Sequence, residues 1–163
     1  MSDPSPPNWR WRDGPVEPGL AVVFDMDGVI SDAAGRQHFL EGPRRDWDAF
    51  FAACGDDALF PEVARLMHAM DRDLSVVLLT ARPLDVQPQT LEWLMRHELR
   101  WDLLLMRPYG DYTASRAFKR ESVVQLRSYG FDLELAFEDD RRNVEMFHAE
   151  GVPCVYLHSG YYE

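Results

Sequence analysis

The chain has 163 residues, 46% of them hydrophobic, a formal net charge of -11 and a sequence pI near 4.8. That length and apolar content suit one globular domain with its own core, and the acidic balance argues for a soluble protein and against broad electrostatic capture of nucleic acid or an anionic membrane. Cys54 and Cys154 form no CxxC or zinc-like cluster, no run reaches the length of a membrane span, and no apolar signal segment follows the N-terminus, so a reduced, cytoplasmic setting is expected.

Residues 1–19, with Pro4, Pro6, Pro7, Pro15 and Pro18, carry no periodic pattern and read as an irregular arm that Trp9 and Trp11 could pin to the body; residues 20–163 read as the domain itself. Leu20 to Phe24 is a continuous apolar run, the pattern of a strand buried on both faces of a parallel sheet. It stops at Asp25 and Asp27, and Gly28 permits a sharp turn. Ile30 to Arg45 is turn-rich, and Asp46 to Cys54, with Trp47, Phe50 and Phe51 at helical spacing, predicts a short helix within a small insert. Phe60, Val63, Met67 and Met70 repeat at helix spacing ahead of a second buried strand, Val76 to Leu79, which ends in Thr80-Ala81-Arg82.

Leu91, Leu94 and Met95 give the next helix its apolar face, and Leu103 to Met106 a third strand leading into the loop 107–115. A helix from about Ala117 to Tyr129 is closed by Gly130, and Leu133, Leu135 and Phe137 form a fourth strand that ends in Glu138-Asp139-Asp140. A helix from Arg141 stops at Gly151, and Pro153 to Leu157 makes a fifth short strand before the tail Ser159 to Glu163. This alternation predicts an α/β fold with a doubly wound parallel sheet and right-handed crossovers. The chain has no internal repeat, no GxGxxG and no Walker-type GxxxxGK loop.

Three buried runs thus end in side chains of useful chemistry: Asp25 and Asp27, then Thr80, then Asp139 and Asp140, all on one edge of a parallel sheet. Each has a structural reading as well, Thr80 as a turn cap and Asp139 and Asp140 as caps of the helix near Arg141. Two carboxylates so close repel unless a cation lies between them, and hard oxygen ligands favour magnesium. Lys119 is the single lysine, the other sixteen basic residues being arginine. A compact, mobile point charge at a site explains that exception.

With these residues in order, the chain resembles the haloacid dehalogenase (HAD) superfamily of phosphotransferases over about residues 20–160, through Asp25-Met26-Asp27-Gly28-Val29, Thr80, Lys119 and Asp139-Asp140. Within it, Gly35-Arg36, Arg82, Asp139-Asp140-Arg141, Val144-Glu145-Met146 and Ser159-Gly160 are similar to the phosphatase domain of bacteriophage polynucleotide kinase/3′-phosphatase. The resemblance implies a Rossmann-like fold and a magnesium-dependent aspartyl-phosphate mechanism. Without a P-loop, an end-healing role would be phosphatase only.

The chemistry then assigns Asp25 as nucleophile and Asp27 as general acid and base, its pKa partly raised by the acidic neighbourhood. Magnesium would be held by Asp25, the Asp27 carbonyl and Asp139, with Asp140 as an alternate or outer ligand; Glu138 is set aside because its position belongs to the strand. Thr80, Ala81 and Lys119 would hold phosphate oxygens. Segments 30–75 and 83–118 leave no room for a full cap, so the mouth should be open, with Arg36, Arg44, Arg45, Arg82, Arg107 and Arg116 near it to read a second phosphate. The expected activity is a phosphomonoesterase on nucleotide or polynucleotide 3′-phosphates, DNA or RNA, with no membrane and no obligate protein partner. Alternatives are a small-metabolite or 5′-nucleotide phosphatase, a phosphotransferase, or a non-catalytic phospho-ligand module.

Overall fold

The computed structural model describes residues 4–162; Met1 to Asp3 of the expected arm and Glu163 of the expected tail lie outside the described residues. In chain order the elements are β1 (Trp9–Trp11), β2 (Leu20–Phe24), β3 (Ser31–Asp32), α1 (Trp47–Ala52), β4 (Ala58–Leu59), α2 (Pro61–Ala69), β5 (Ser75–Pro83), α3 (Gln87–Arg96), β6 (Leu103–Arg107), α4 (Ser115–Tyr129), β7 (Asp132–Glu138), α5 (Arg141–Ala149) and β8 (Cys154–Tyr156). Six strands form one sheet in the order β1-β6-β5-β2-β7-β8, parallel except for β1. The chain winds outward from β2 through β5 to β6, then returns to the other side of β2 for β7 and β8. The order therefore reverses at β2, and the carboxyl end of the strand at such a reversal is where ligands bind in open α/β sheets.

Residues alternate along the strands between two apolar layers. On one face Val22, Phe24, Leu78 and Leu104 pack with Met67 of α2 and with Trp93 and Leu94 of α3. On the other, Val23, Val77, Leu79 and Leu105 pack with Phe118 and Leu126 of α4 and with Met146 and Phe147 of α5. Helices thus cover both faces, as the unbroken apolar runs require, and the fold is the expected Rossmann-like α/β sheet. Between β2 and β5, β3 and β4 form only a two-residue antiparallel pair, so any cap is minimal. Local chemistry fixes the helix ends: Asp46 accepts a hydrogen bond from the Ala49 amide at the start of α1, Pro61 opens α2, and Gly130 closes α4 at φ +118°. Among the described residues, no helix is long and apolar enough to cross a membrane.

Two expectations are corrected. The arm is not irregular throughout, because Trp9 and Trp11 pair with Leu105 and Leu103 as an antiparallel edge strand. Their rings pack against Tyr129, and Asn8 Nδ2 donates to the Met106 carbonyl at 2.8 Å. Three residues are too few to show a period, and the apolar rim of β6 needs the cover. The second correction is that β5 runs through Thr80, Ala81 and Arg82 to Pro83, with a register shift between Leu79 and Pro83, rather than giving way after Leu79 to a polar Thr80-Ala81-Arg82 end.

If the edge strand belongs to the fold, Trp11→Ala lowers the unfolding free energy by about 3 kcal/mol, the usual cost of removing a buried aromatic ring. Urea denaturation followed by circular dichroism measures this; a change below about 0.5 kcal/mol would return the arm to an irregular appendage.

Candidate functional site

Strand β2 delivers Asp25 to the sheet edge, where its amide donates to the Phe137 carbonyl at 3.0 Å and so keeps it in step with β7. Lys119, on the second turn of α4, donates through Nζ to Asp25 Oδ1 at 2.9 Å and to Glu138 Oε2 at 2.8 Å. All three side chains are buried. The two carboxylates outweigh burial and raise the lysine above its ordinary value, so it is a fixed positive charge. Gly28 turns the chain at φ +84°, and a Cβ there would lie 2.0 Å from Asp139 Oδ2; only glycine lets the loop and the Asp139 carboxylate share this space.

Asp27 belongs to a different network. Its Oδ1 accepts from Arg36 Nη2 at 2.7 Å and from Arg82 Nη2 and Nε at 2.7 and 3.0 Å. Asp57 closes the circuit, accepting from Arg36 Nε and Nη2 at 2.8 and 2.6 Å, and from the Ser31 hydroxyl at 2.6 Å. Arg36 lies over the Phe50 ring at 4.5 Å, and Trp93 Nε1 donates to the Asp57 carbonyl at 2.8 Å, which ties the network to the core.

These contacts revise several expectations. Arg36 and Arg82 do not face the mouth: they are 2% and 0% exposed, and their donors are spent on Asp27, Asp57, Ser31, Thr90 and the Phe50 carbonyl. Asp27 is not raised in pKa. Burial pushes it up, but Arg82 and Arg36 outweigh burial and hold it below the ordinary carboxylate range. With its Oδ1 bound to guanidinium groups, the Asp27 side chain is also not placed as a metal ligand. Asp140 caps α5 instead of joining the acidic group, accepting from the Arg142 amide at 3.0 Å and pairing with the Arg142 guanidinium at 3.2 Å. Glu138 does end the strand, as expected, yet its side chain reaches the site, because the last residue of β7 stands beside Asp25.

Thr80 is buried, with Oγ1 accepting from the Arg82 amide at 3.1 Å, and Ala81 beside it is half-buried. Arg44, Arg45 and Arg116 are exposed, whereas Arg107 Nη1 donates to the Thr113 carbonyl at 2.7 Å. Asp57 and Glu138 are the residues that the sequence reading missed or set aside. The only local signal for Asp57 is that two buried arginines need a second carboxylate, and that appears only once both are known to be buried.

The fit to a cation rests on the donors themselves. Asp25, Glu138 and Asp139 each offer a carboxylate oxygen within 4.8 Å of the others. Both Asp139 oxygens are buried without a hydrogen-bond partner. Burial, followed by the Asp25 charge, pushes Asp139 and Glu138 well above the ordinary carboxylate range, as in an acidic cluster short of a cation. With all six ionised, as a bound cation would leave them, the carboxylates of Asp25, Asp27, Asp57, Glu138, Asp139 and Asp140 carry two more negative charges than Lys119, Arg36, Arg82 and Arg142 neutralise around this edge. One divalent ion with oxygen ligands matches that excess.

Residues 19–162 match the family described as the polynucleotide kinase PNKP phosphatase domain. Two solved chains from Pnkp1/Rnl/Hen1 complexes, one described as an RNA repair complex, superpose with a TM-score of 0.74 each at 25% and 26% identity, over 93% and 92% of this chain. The chain spans about half their length, 46% and 50%. A haloacid dehalogenase-like hydrolase from Streptococcus pneumoniae shares the fold, with a TM-score of 0.60 at 14% identity over 88% of this chain and 86% of its own. No curated protein sequence matches the chain.

The buried circuit makes a stability claim. Arg36→Ala leaves Asp27 and Asp57 underpaired and is expected to cost about 3–5 kcal/mol, whereas Arg45→Ala, at an exposed position, changes stability by no more than about 0.5 kcal/mol. Equal, small effects in urea titrations of the two variants would place Arg36 at the surface after all.

Proposed function

The chain belongs to the PNKP phosphatase-domain family of HAD-type hydrolases, which act on phosphate monoesters, and from that premise we propose that it is a magnesium-dependent 3′-phosphatase of nucleotide or polynucleotide ends that works through an aspartyl-phosphate on Asp25. The observation that carries this reading is the Asp25 carboxylate locked to a buried lysine beside Asp139, whose two oxygens have no partner. The description of a similar chain within an RNA repair complex supports a polynucleotide end as substrate, and two free cysteines suit a reducing cytoplasm.

Lys119 occupies Asp25 Oδ1, which leaves Oδ2 as the attacking atom. Its bond to phosphorus forms as the bond to the leaving oxygen breaks; Asp27, ionised at rest, takes up a proton from solvent as the phosphate dianion enters and gives it to that oxygen. Water then attacks phosphorus, its proton passes to Asp27, and phosphate departs with the Asp25 carboxylate restored. The two arginines on Asp27 Oδ1 orient that carboxylate for both transfers. Thr80 Oγ1 already accepts from the Arg82 amide, so its own O–H remains to donate to a phosphate oxygen. The remaining Nζ–H of Lys119 and the Ala81 amide would hold the others. A magnesium ion held by Asp25, Asp139 and the Asp27 carbonyl would, when bound, offset the repulsion between nucleophile and phosphate.

Asp25→Asn, which keeps the shape and loses the nucleophile, is expected to reduce turnover at least about 10³-fold with the fold retained; residual activity above about a tenth of wild type would remove Asp25 from this role. Phosphate release from 3′- and 5′-phosphorylated mononucleotides and oligonucleotides tests the substrate. The 3′-phosphates are expected to react at least about tenfold faster in kcat/KM, and a preference for 5′-phosphates or sugar phosphates would identify a metabolite enzyme instead. Activity should vanish in excess chelator and return with magnesium but not calcium, whose larger, looser shell misplaces the reacting groups.

A further inference from the structure

With Arg36 and Arg82 consumed inside the protein, recognition beyond the transferred phosphate falls to other groups at the mouth. The segment after β8 supplies them. Leu157 donates its amide to the Glu138 carbonyl at 2.9 Å, which brings the chain alongside the acidic edge. Ser159 Cβ then lies 3.1 Å from where a Cβ on Gly28 would stand, and the Tyr161 hydroxyl donates to Asp32 Oδ1 at 2.9 Å. The segment is therefore fastened across the loop that follows Asp25 and Asp27.

The next residue, Tyr162, is 55% exposed. Arg142 stands over its ring with Cζ 5.7 Å from the centroid, and the same guanidinium is gripped by Asp140 at 3.2 Å. One face of the ring is thus backed by a cation that the helix cap holds in place.

An aromatic ring at a mouth lined with carboxylates favours a neutral, flat group over another phosphate. At a net charge of -11 the protein repels a polyanion, but a base has a π-face and no charge. Building on the 3′-phosphatase reading, we propose that Tyr162, backed by Arg142, is the stacking platform for the nucleobase of the nucleotide whose phosphate is removed, and so sets the preference for nucleoside over simple alkyl phosphates. Tyr109 and Tyr112 are also exposed, at 71% and 93%, but their loop follows β6, which lies two strands from β2 and about 10 Å away along the sheet.

The test compares a nucleoside 3′-phosphate with glycerol 2-phosphate, which has no ring to stack. Tyr162→Ala is expected to lower the ratio of kcat/KM values for the two substrates about tenfold, mostly through KM for the nucleotide, and Tyr162→Phe to restore it. An unchanged ratio in Tyr162→Ala, or a ratio moved by Tyr112→Ala instead, overturns the platform while leaving the phosphatase reading intact. Binding separates the two ideas further. In the Asp25→Asn protein, affinity for the nucleoside 3′-phosphate relative to inorganic phosphate should fall about tenfold on adding Tyr162→Ala, a readout that needs no turnover. Loss of that affinity preference without 3′-phosphatase activity in the wild type would uphold the platform and sink the reaction assigned above; no loss would overturn the platform.

Discussion

The arrangement depends on crowding carboxylates at one sheet edge with too few cations to neutralise them. Buried like charges raise one another's pKa unless a cation intervenes, and the protein supplies its cations unevenly. Asp27 and Asp57 share two arginines and form a closed circuit. Asp25 and Glu138 share one lysine, and Asp139 has none. The shortage is concentrated where β2 and β7 end side by side, and that is where a divalent ion and a phosphate would meet.

This unequal treatment gives two aspartates one residue apart different characters. Asp25 is fixed by a point charge that occupies a single oxygen, which leaves the other for the attack proposed above. Asp27 is fixed by planar guanidinium groups anchored in the core through Phe50, Thr90 and Asp57, an arrangement that sets its orientation and keeps it ionised at rest. Gly28 adds the steric half of the design, since any side chain there would meet the Asp139 carboxylate. The fold contributes by reversing strand order at β2, which brings these groups to the point in an open sheet where ligands bind.

The parts legible in the sequence were those written in contiguous residues. Apolar runs ending in Asp25, Thr80 and Asp139 located the strands and the edge, and a solitary lysine drew attention to Lys119, which the structure brings to within 2.9 Å of Asp25. What stayed hidden depends on pairing across the chain. Arg36 meets Asp57 across 21 residues that hold a turn-rich stretch and the short helix α1, neither of which pairs the two in sequence, so a buried arginine looks the same as a solvated one. Trp9 and Trp11 form a strand because β6 offers an open edge, which their own residues do not announce. Glu138 was correctly placed at the end of a strand, but its ion pair with Lys119 follows from the neighbour across the ladder. Asp140 carried both a ligand and a cap reading, and the amide of Arg142 decides for the cap.

Calorimetric titration of the intact protein with magnesium in the absence of substrate tests the excess of two negative charges most directly. One ion per chain is expected, with binding abolished by Asp139→Asn and retained in Asp140→Asn, whose side chain serves the helix rather than the ion. Binding that survives Asp139→Asn, or no binding at millimolar magnesium, would contradict the account.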